Sequence, residues 1–498
     1  MRHRARLAGL LAGACLLASP AAADTLEEAL ALAYQNNPTL EAARAQLRVT
    51  DENVVIQRAA GLPSANGSGG YTEFITGGGG NGLSPDRQAT ANLSLGVPLY
   101  QGGAVRNGTL AAEYRIDAGR ADLRGTESSL FSQVVAAYMD VILNEAVVGL
   151  SANNVDVLTV NVEATRDRFE IGDLTRTDVA QSESRLALAS GDLRTAQSNL
   201  ISARERYIQL VGKAPENLQP PRPLGDLPAD VQTAVEVALA ENPDLIAAQQ
   251  LAEAADYDIA VAGAGRLPRV ELVGGPGYTN YLGSLGTVPG SGVTADQDSL
   301  SLQAGVRLTL PIFQGGRVAA QQRQAGARAQ VALEQVVAAE RAVISQVRAA
   351  YASWRAANAI IASSQSAVDA AALSLEGVRA ENTVGNRTIL DILNAQQELL
   401  RAQVQLVTAR RNAYVAGFTL LAAMGRAEAR DLGVVADGEL YDPRDNYNRV
   451  RDIIWDWQRD PAPVVQSTRT VDIPAADGDI PGTTSDDMVS GTTGTTGN

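Results

Sequence analysis

Hydrophobic residues follow two different periods in this chain. Ala89, Ala91, Leu93, Leu95, Val97 and Leu99 alternate with Thr90, Asn92, Ser94 and Gly96. This period of two predicts a strand with one apolar and one polar face. Leu300, Leu302, Ala304, Val306, Leu308 and Leu310 repeat the pattern against Ser301, Gln303, Gly305, Arg307 and Thr309. About twelve such residues extend ~40 Å at ~3.3 Å each, enough for a tilted path across a bilayer. Weaker strand signals, rich in glycine and tyrosine, precede each run at 64–75 and 269–281. The chain therefore offers two hairpins, 64–100 and 269–312, with polar, glycine-rich loops around Gly77–Asp86 and Gly283–Asp298. Tyr71, Tyr278 and Tyr281 are candidates for membrane-interface aromatics or for barrel packing.

Elsewhere the period is helical. Pro98 to Gly172 and Pro311 to Gly385 each span 74 residues with no proline between. Each interval predicts one long helix, 104–170 and 317–383, of ~100 Å at ~1.5 Å per residue. Phe131, Val134, Tyr138 and Val141 are spaced 3-4-3, as are Ile344, Val347, Tyr351 and Trp354. That is the seam of a coiled coil. Shorter helices follow at 174–211 and 387–424, and others precede the hairpins at about 25–60 and 231–262. Asn37-Pro38 and Asn242-Pro243 mark a break early in each of these. Two short helices end to end nearly match one long helix, so 213–230 and 426–460 should sit partway along a rod as a collar. Trp455 and Trp457 are expected to anchor the C-terminal segment to it, and 461–498 reads as a disordered tail.

The chain is duplicated. Gly172 and Gly385 are 213 residues apart, as are Asp178 and Asp391. Pro38 to Pro63 and Pro243 to Pro268 are each 25 residues. The copies are 24–228 and 229–434. Each hairpin ends in one phrase, Val97-Pro98-Leu99-Tyr100-Gln101-Gly102-Gly103 and Leu310-Pro311-Ile312-Phe313-Gln314-Gly315-Gly316. Pro98, Gly102, Gly103, Pro311, Gly315 and Gly316 are suited to turning a strand sharply into a helix. The fold class is mixed and mainly α: a long antiparallel α-helical coiled-coil barrel plus a transmembrane β-barrel, with four strands per chain. Four strands cannot close a barrel, and open edges are not tolerated in lipid. Three copies supply twelve strands, so closure predicts a homotrimer in lipid.

Composition narrows the chemistry. Arg2, Arg4 and Arg6, the apolar run Leu7 to Leu17 and Ala21-Ala22-Ala23 form a secretory signal peptide, residues 1–23. Its removal lowers the basic residues from 41 to 38 against 56 acidic ones, a net charge of −18. Such a surface disfavours nucleic acid. His3 and Cys15, the sole histidine and cysteine, lie inside the signal peptide. Cys15 could instead be a lipid-modified residue, although Ala12-Gly13-Ala14 makes a poor lipobox. The mature chain has no imidazole or thiol for a Ser-His or Cys-His nucleophile or for a His/Cys metal site. Gly77–Gly80 lacks the Gly-Lys-Ser/Thr ending of a phosphate loop. No enzyme, cofactor or metal is expected. No later stretch reads as the ~20 apolar residues of a membrane helix.

The duplicated Asn-Pro helix starts, the Tyr/Phe-Gln-Gly-Gly junctions and Val384-Gly385-Asn386-Arg387-Thr388-Ile389-Leu390-Asp391 resemble the TolC family of outer-membrane efflux and secretion channels. The resemblance covers roughly residues 25–435. It implies a trimeric outer-membrane barrel joined to a periplasmic helical tunnel. It further implies docking to a periplasmic adaptor protein and an inner-membrane ABC or RND-type transporter. A non-conducting periplasmic coiled-coil protein, structural or adaptor-like, is the alternative.

The matching turns have two readings each. Gly172 and Gly385 suit helix termini, and Thr175/Asp178 and Thr388/Asp391 have capping-box spacing. By the resemblance, these turns lie at the periplasmic mouth. Asp391 would there form an acidic ring, and Arg387 could bridge to Asp178 of a neighbouring coil. Asn394 and Asn382 stand where relatives carry an aspartate and often a gating tyrosine, which implies a less acidic, more easily opened mouth. Ile171, Gly172, Asp173 and Leu174, with Val384, Gly385, Asn386 and Arg387, resemble tips that meet an adaptor. Plain helix turns are the alternative.

Overall fold

The computed structural model describes residues 24–475 apart from 76–83, 226, 288–289, 291 and 436–439. The expected signal peptide with Cys15, and 476–498 of the expected tail, lie outside the described residues. The elements run α1 (Leu26–Asn36), α2 (Pro38–Ala59), β1 (Ser64–Glu73), β2 (Arg87–Tyr100), α3 (Ala104–Glu170), α4 (Arg176–Val211), α5 (Val231–Glu241) and α6 (Pro243–Gly263). They continue with β3 (Arg269–Asn280), β4 (Asp298–Thr309), α7 (Arg317–Thr383), α8 (Ile389–Ala423), α9 (Ala429–Leu432) and α10 (Asp445–Val450). The hairpins join as one antiparallel sheet, ordered β1-β2-β3-β4. Helix α3 packs on α2 and α6 along one half and on α4 and α8 along the other, while α7 packs on α6 and then α8.

The Asn-Pro dipeptides work as clasps. Proline begins α2 and α6 at the position where a missing N–H costs nothing. Asn37 Oδ1 accepts from Thr39 N at 2.9 Å while its Nδ2 donates to the Leu210 carbonyl at 2.9 Å. Asn242 Oδ1 accepts from Asp244 N at 3.0 Å and its Nδ2 donates to the Ala423 carbonyl at 3.0 Å. One buried amide thus caps the start of α2 or α6 and the end of α4 or α8. This makes two short helices act as one long one.

The main core lies beside these clasps, where α1 and α5 widen the bundle. Phe131, Tyr138, Tyr207, Phe418 and Val347 are wholly buried there. Tyr138 Oη lies 2.6 Å from the Gln219 carbonyl, and its counterpart Tyr351 donates to the Ala229 carbonyl at 2.8 Å. Both pin the 213–230 segment to the rod. Below the core, small buried residues such as Ala189, Ala357 and Ala402 let the helices approach closely.

Several expectations need correcting. Helices α4 and α8 begin two residues later than 174 and 387, at Arg176 and Ile389, because Thr175 and Thr388 are extended capping residues. A stretch of α3 is long and apolar enough to cross a membrane by length and composition. Phe131, Val134, Tyr138 and Val141 of α3 are nevertheless fully buried in the helical core. Trp455 and Trp457 are 68% and 74% exposed, so they do not anchor the collar within this chain. Arg58 holds that segment instead, donating to the Arg451 carbonyl at 2.5 Å. Of the expected tail, 461–475 has a defined path that brings Thr468 beside Gly212.

A half-buried carboxyl ties the collar to α3. Glu127 Oε1 accepts from Ala429 N at 2.5 Å, capping α9, whose own N-cap Glu428 makes no side-chain cap. Burial pushes Glu127 up to about 7, against the pull of that hydrogen bond. Its other charged neighbours are Glu428, Arg44 and Asp431. A raised folded-state value means the folded chain holds the proton more tightly. This stabilisation is full below the ordinary carboxylate range and is lost as pH rises through about 7.

Two outcomes follow. Asn37→Ala and Asn242→Ala should each destabilise the protein by about 1–3 kcal/mol, from a lost cap plus a stranded buried carbonyl; unchanged denaturation midpoints would contradict the clasp. The urea midpoint of the wild type should fall between pH 5 and 8, and Glu127→Gln should flatten that slope. An identical slope in both proteins would remove Glu127 as its source.

Candidate functional site

The sheet separates two faces along its whole width. Strand register places Gly67, Leu93, Pro276 and Leu302 in adjoining rows of one face, together with Ala65, Leu95, Gly274 and Ala304. Leu272, Val306, Tyr71, Tyr278 and Leu300 share that face. The opposite face carries Asn66, Ser68, Thr90, Asn92, Ser94, Glu271, Ser301, Gln303 and Arg307. On it Arg307 Nη1 lies 3.6 Å from Glu271 Oε2. The apolar face is uncovered: Leu302 is 81% and Leu300 75% exposed. From Leu300 to Leu308 the strand rises ~27 Å, or ~21 Å at a ~40° tilt, close to the ~25 Å apolar band of membrane barrels.

A register shift between Pro98 and Tyr100 pairs Tyr100 with Val270, which itself faces Leu308. The bulge therefore turns Tyr100 onto the apolar face, at the end nearest the helices. Tyr71 and Tyr278 lie toward the other end. Gly102, Gly103, Gly315 and Gly316 all have positive φ, from 59° to 81°, and Gly103 and Gly316 are the N-caps of α3 and α7. Each Gly-Gly pair thus redirects the chain from sheet to rod within two residues.

At the far end of the rod the two turns are alike in detail. Gly172 and Gly385 both have φ of 82°. Thr388 Oγ1 accepts from Asp391 N at 3.3 Å, and Asp391 Oδ2 accepts from Thr388 N at 2.9 Å. Thr175 and Asp178 form the same box, at 3.3 and 2.9 Å. Hydrogen bonds from the Thr388 backbone and hydroxyl hold Asp391 below the usual carboxylate range; those from the Thr175 hydroxyl and backbone do so for Asp178. Both carboxylates stay ionised at neutral pH, and both are engaged in capping.

Arg387 does not carry the expected bridge to Asp178 within the chain. Its Nε lies 2.6 Å from Glu381 Oε2, and Asn382 Nδ2 donates to the Arg387 carbonyl at 2.7 Å. These contacts close the turn locally, as the pair Arg168–Asp173, at 2.6 Å, does in the other copy. Asn394 does cross between copies: its Oδ1 accepts from Arg185 Nη2 at 3.0 Å. Ile171 and Val384 stand out from the tips, 81% and 71% exposed.

The profile of the outer membrane efflux protein family matches this chain twice, over residues 29–213 and 234–426. The chain belongs to that family. It is 35% identical over 443 residues to the outer membrane efflux protein BepC of Brucella suis biovar 1, covering 89% of this chain and 94% of BepC. It is 27% identical to the outer membrane protein TolC of Escherichia coli, over 82% of this chain and 84% of TolC. Among solved structures, the CmeC outer membrane channel of Campylobacter jejuni superposes with a TM-score of 0.70 at 18% identity, covering 86% of this chain and 89% of CmeC.

For this efflux-family chain, sequence reasoning missed the link between the two tips. Beside Arg185–Asn394 lies a thin seam: Leu158, Ala189 and Leu393 form a small buried cluster. Asn161 Nδ2 donates to Gln396 Oε1 at 3.4 Å, and Gln396 Nε2 to Asn154 Oδ1 at 3.5 Å. No motif marks these amides; only their helical spacing on α3 and α8 could have suggested a shared seam. Few apolar contacts and long amide bonds make this the weakest part of the rod to separate.

Asn394→Asp should therefore increase divalent-cation block in planar-bilayer recordings, but partly, because Arg185 neutralises the new charge. Asn394→Asp with Arg185→Gln should block more strongly still, by about 1.4-fold to fivefold if the exposed pair is worth ~0.2–1 kcal/mol. Equal block in all three proteins would remove this position from the mouth.

Proposed function

We propose that this protein is the outer-membrane exit duct of an efflux or secretion machine, made of three chains and gated at its periplasmic tips. The observation that carries the reading is the sheet: four strands, one unbroken apolar face, and open edges at β1 and β4. Three such sheets close into a twelve-stranded barrel, with lipid outside and the polar face around a water-filled lumen. Helices α3 and α7 continue the wall into the periplasm. The duct does no chemistry. It is passive, and selection of cargo belongs to the adaptor and the ABC or RND-type inner-membrane transporter.

The tips are proposed to serve two ends. Asp391, repeated about the three-fold axis, supplies an acidic ring that attracts cations, while the Arg185–Asn394 link holds neighbouring tips together. Ile171, Leu174 and Val384 offer apolar contacts to an adaptor beside Gly172 and Gly385. Substituting the glycines confounds a docking test, since a side chain at φ of 82° is strained whatever it touches. Exposed Ile171 and Val384 avoid that difficulty. A periplasmic coiled-coil protein would have no use for a wide apolar sheet face, which weighs against the alternative.

Leu302→Arg and Ser301→Arg test the reading on adjacent residues. Leu302→Arg should cost about 2–4 kcal/mol at the bilayer midplane and sharply reduce assembled protein in outer membranes. Ser301→Arg, on the luminal face, should assemble normally. Equal assembly of both would mean that the sheet does not face lipid as proposed.

A further inference from the structure

The polar face of the sheet runs down into a groove whose charge opposes that of the chain. A cavity of about 750 Å³ lies where strands give way to helices, and its lining includes Arg269, Thr309, Gln314, Arg317, Gln321 and Arg328. Arg269 and Thr309 are paired across β3 and β4 and alternate in step with Glu271 and Arg307, not with Leu272 and Leu308. The groove therefore opens on the side away from lipid. Arg317, Gln321 and Arg328 fall at i, i+4 and i+11, a single stripe of α7.

Among the described residues its guanidinium groups have no acidic partners. The one acid in the lining, Asp258, is ion-paired with Arg115. Glu271, just above, is paired with Arg307 at 3.6 Å. Among the described residues, Arg269 and Arg328 have no acidic partner, and Arg317 donates to the Gln314 amide oxygen. Gln314 is itself fixed, its Nε2 donating to the Gly265 carbonyl at 3.0 Å. In a chain of net charge −15, three guanidiniums sharing one cavity whose single carboxylate, Asp258, is paired with Arg115 stand out. Their mutual repulsion is relieved when an anion enters.

We propose that this groove is an anion-binding site on the path of the cargo, taking carboxylate or phosphate groups as they pass from the helical tunnel into the barrel. Planar guanidiniums bind such oxyanions through paired hydrogen bonds, and Gln321 adds an uncharged donor. The luminal placement rests on the duct reading above. Exposure to water keeps the site weak, which suits a transit site that must release what it binds.

The test uses the full mature chain in detergent and inorganic pyrophosphate as probe. Calorimetry should show saturable binding that weakens as salt rises. Arg269→Gln with Arg328→Gln should weaken it at least tenfold, and Gln321→Glu, which places a carboxylate in the groove, should do likewise. Arg58→Gln, outside the groove, should bind as the wild type does. In bilayers, pyrophosphate should reduce wild-type current reversibly. No binding by the wild type, or wild-type affinity in both the double variant and Gln321→Glu, overturns the site. Conducting trimers that bind no pyrophosphate remove this inference alone, whereas a chain that never assembles removes the duct reading and the luminal placement with it.

Discussion

A sheet edge in hydrocarbon has no water to satisfy its N–H and C=O groups, and the rest of this structure depends on that constraint. One chain carries four strands with a continuous apolar face, so it can neither stay in water with that face bare nor enter lipid with β1 and β4 unpaired. Association of copies edge to edge meets both demands at once. The long helices inherit the arrangement. Since α3 and α7 each leave the sheet through a Gly-Gly turn, closing the strands into a ring also sets the helices in a ring beneath it.

Duplication explains why such a long object can be built with so thin a core. Each copy needs its two short helices to behave as one, and a single buried asparagine accomplishes this twice, through Asn37 and Asn242. Among the described residues the largest buried cluster lies at the level of these clasps, where α1, α5 and the 213–230 segment thicken the wall. Away from it the buried clusters are small, such as Val54, Ala112 and Ile116 on one side and Leu158, Ala189 and Leu393 on the other. Near the tips the two copies are joined by one small apolar cluster and the Arg185–Asn394 hydrogen bond.

The repeat made the fold legible. Bounds of α3 and α7 could be read from proline-free intervals, and the faces of β2 and β4 from strict alternation. Glycine-rich β1 and β3 gave weaker signals because their small residues fit either face; pairing with β2 and β4 assigns the sides. Capping at Thr175 and Thr388 was readable because it is local in sequence. Arg185–Asn394 and Glu127–Ala429 were not, since each joins residues far apart in sequence and carries no motif. Trp455 and Trp457 show the converse failure: aromatic residues invite burial, yet among the described residues they stay mostly exposed.

The central claim is that three chains close one barrel. The most direct measurement is the protein-only mass, by light scattering, of the mature chain extracted from outer membranes in detergent. The account predicts a trimer that needs detergent to remain soluble. A monomer released without detergent would contradict it.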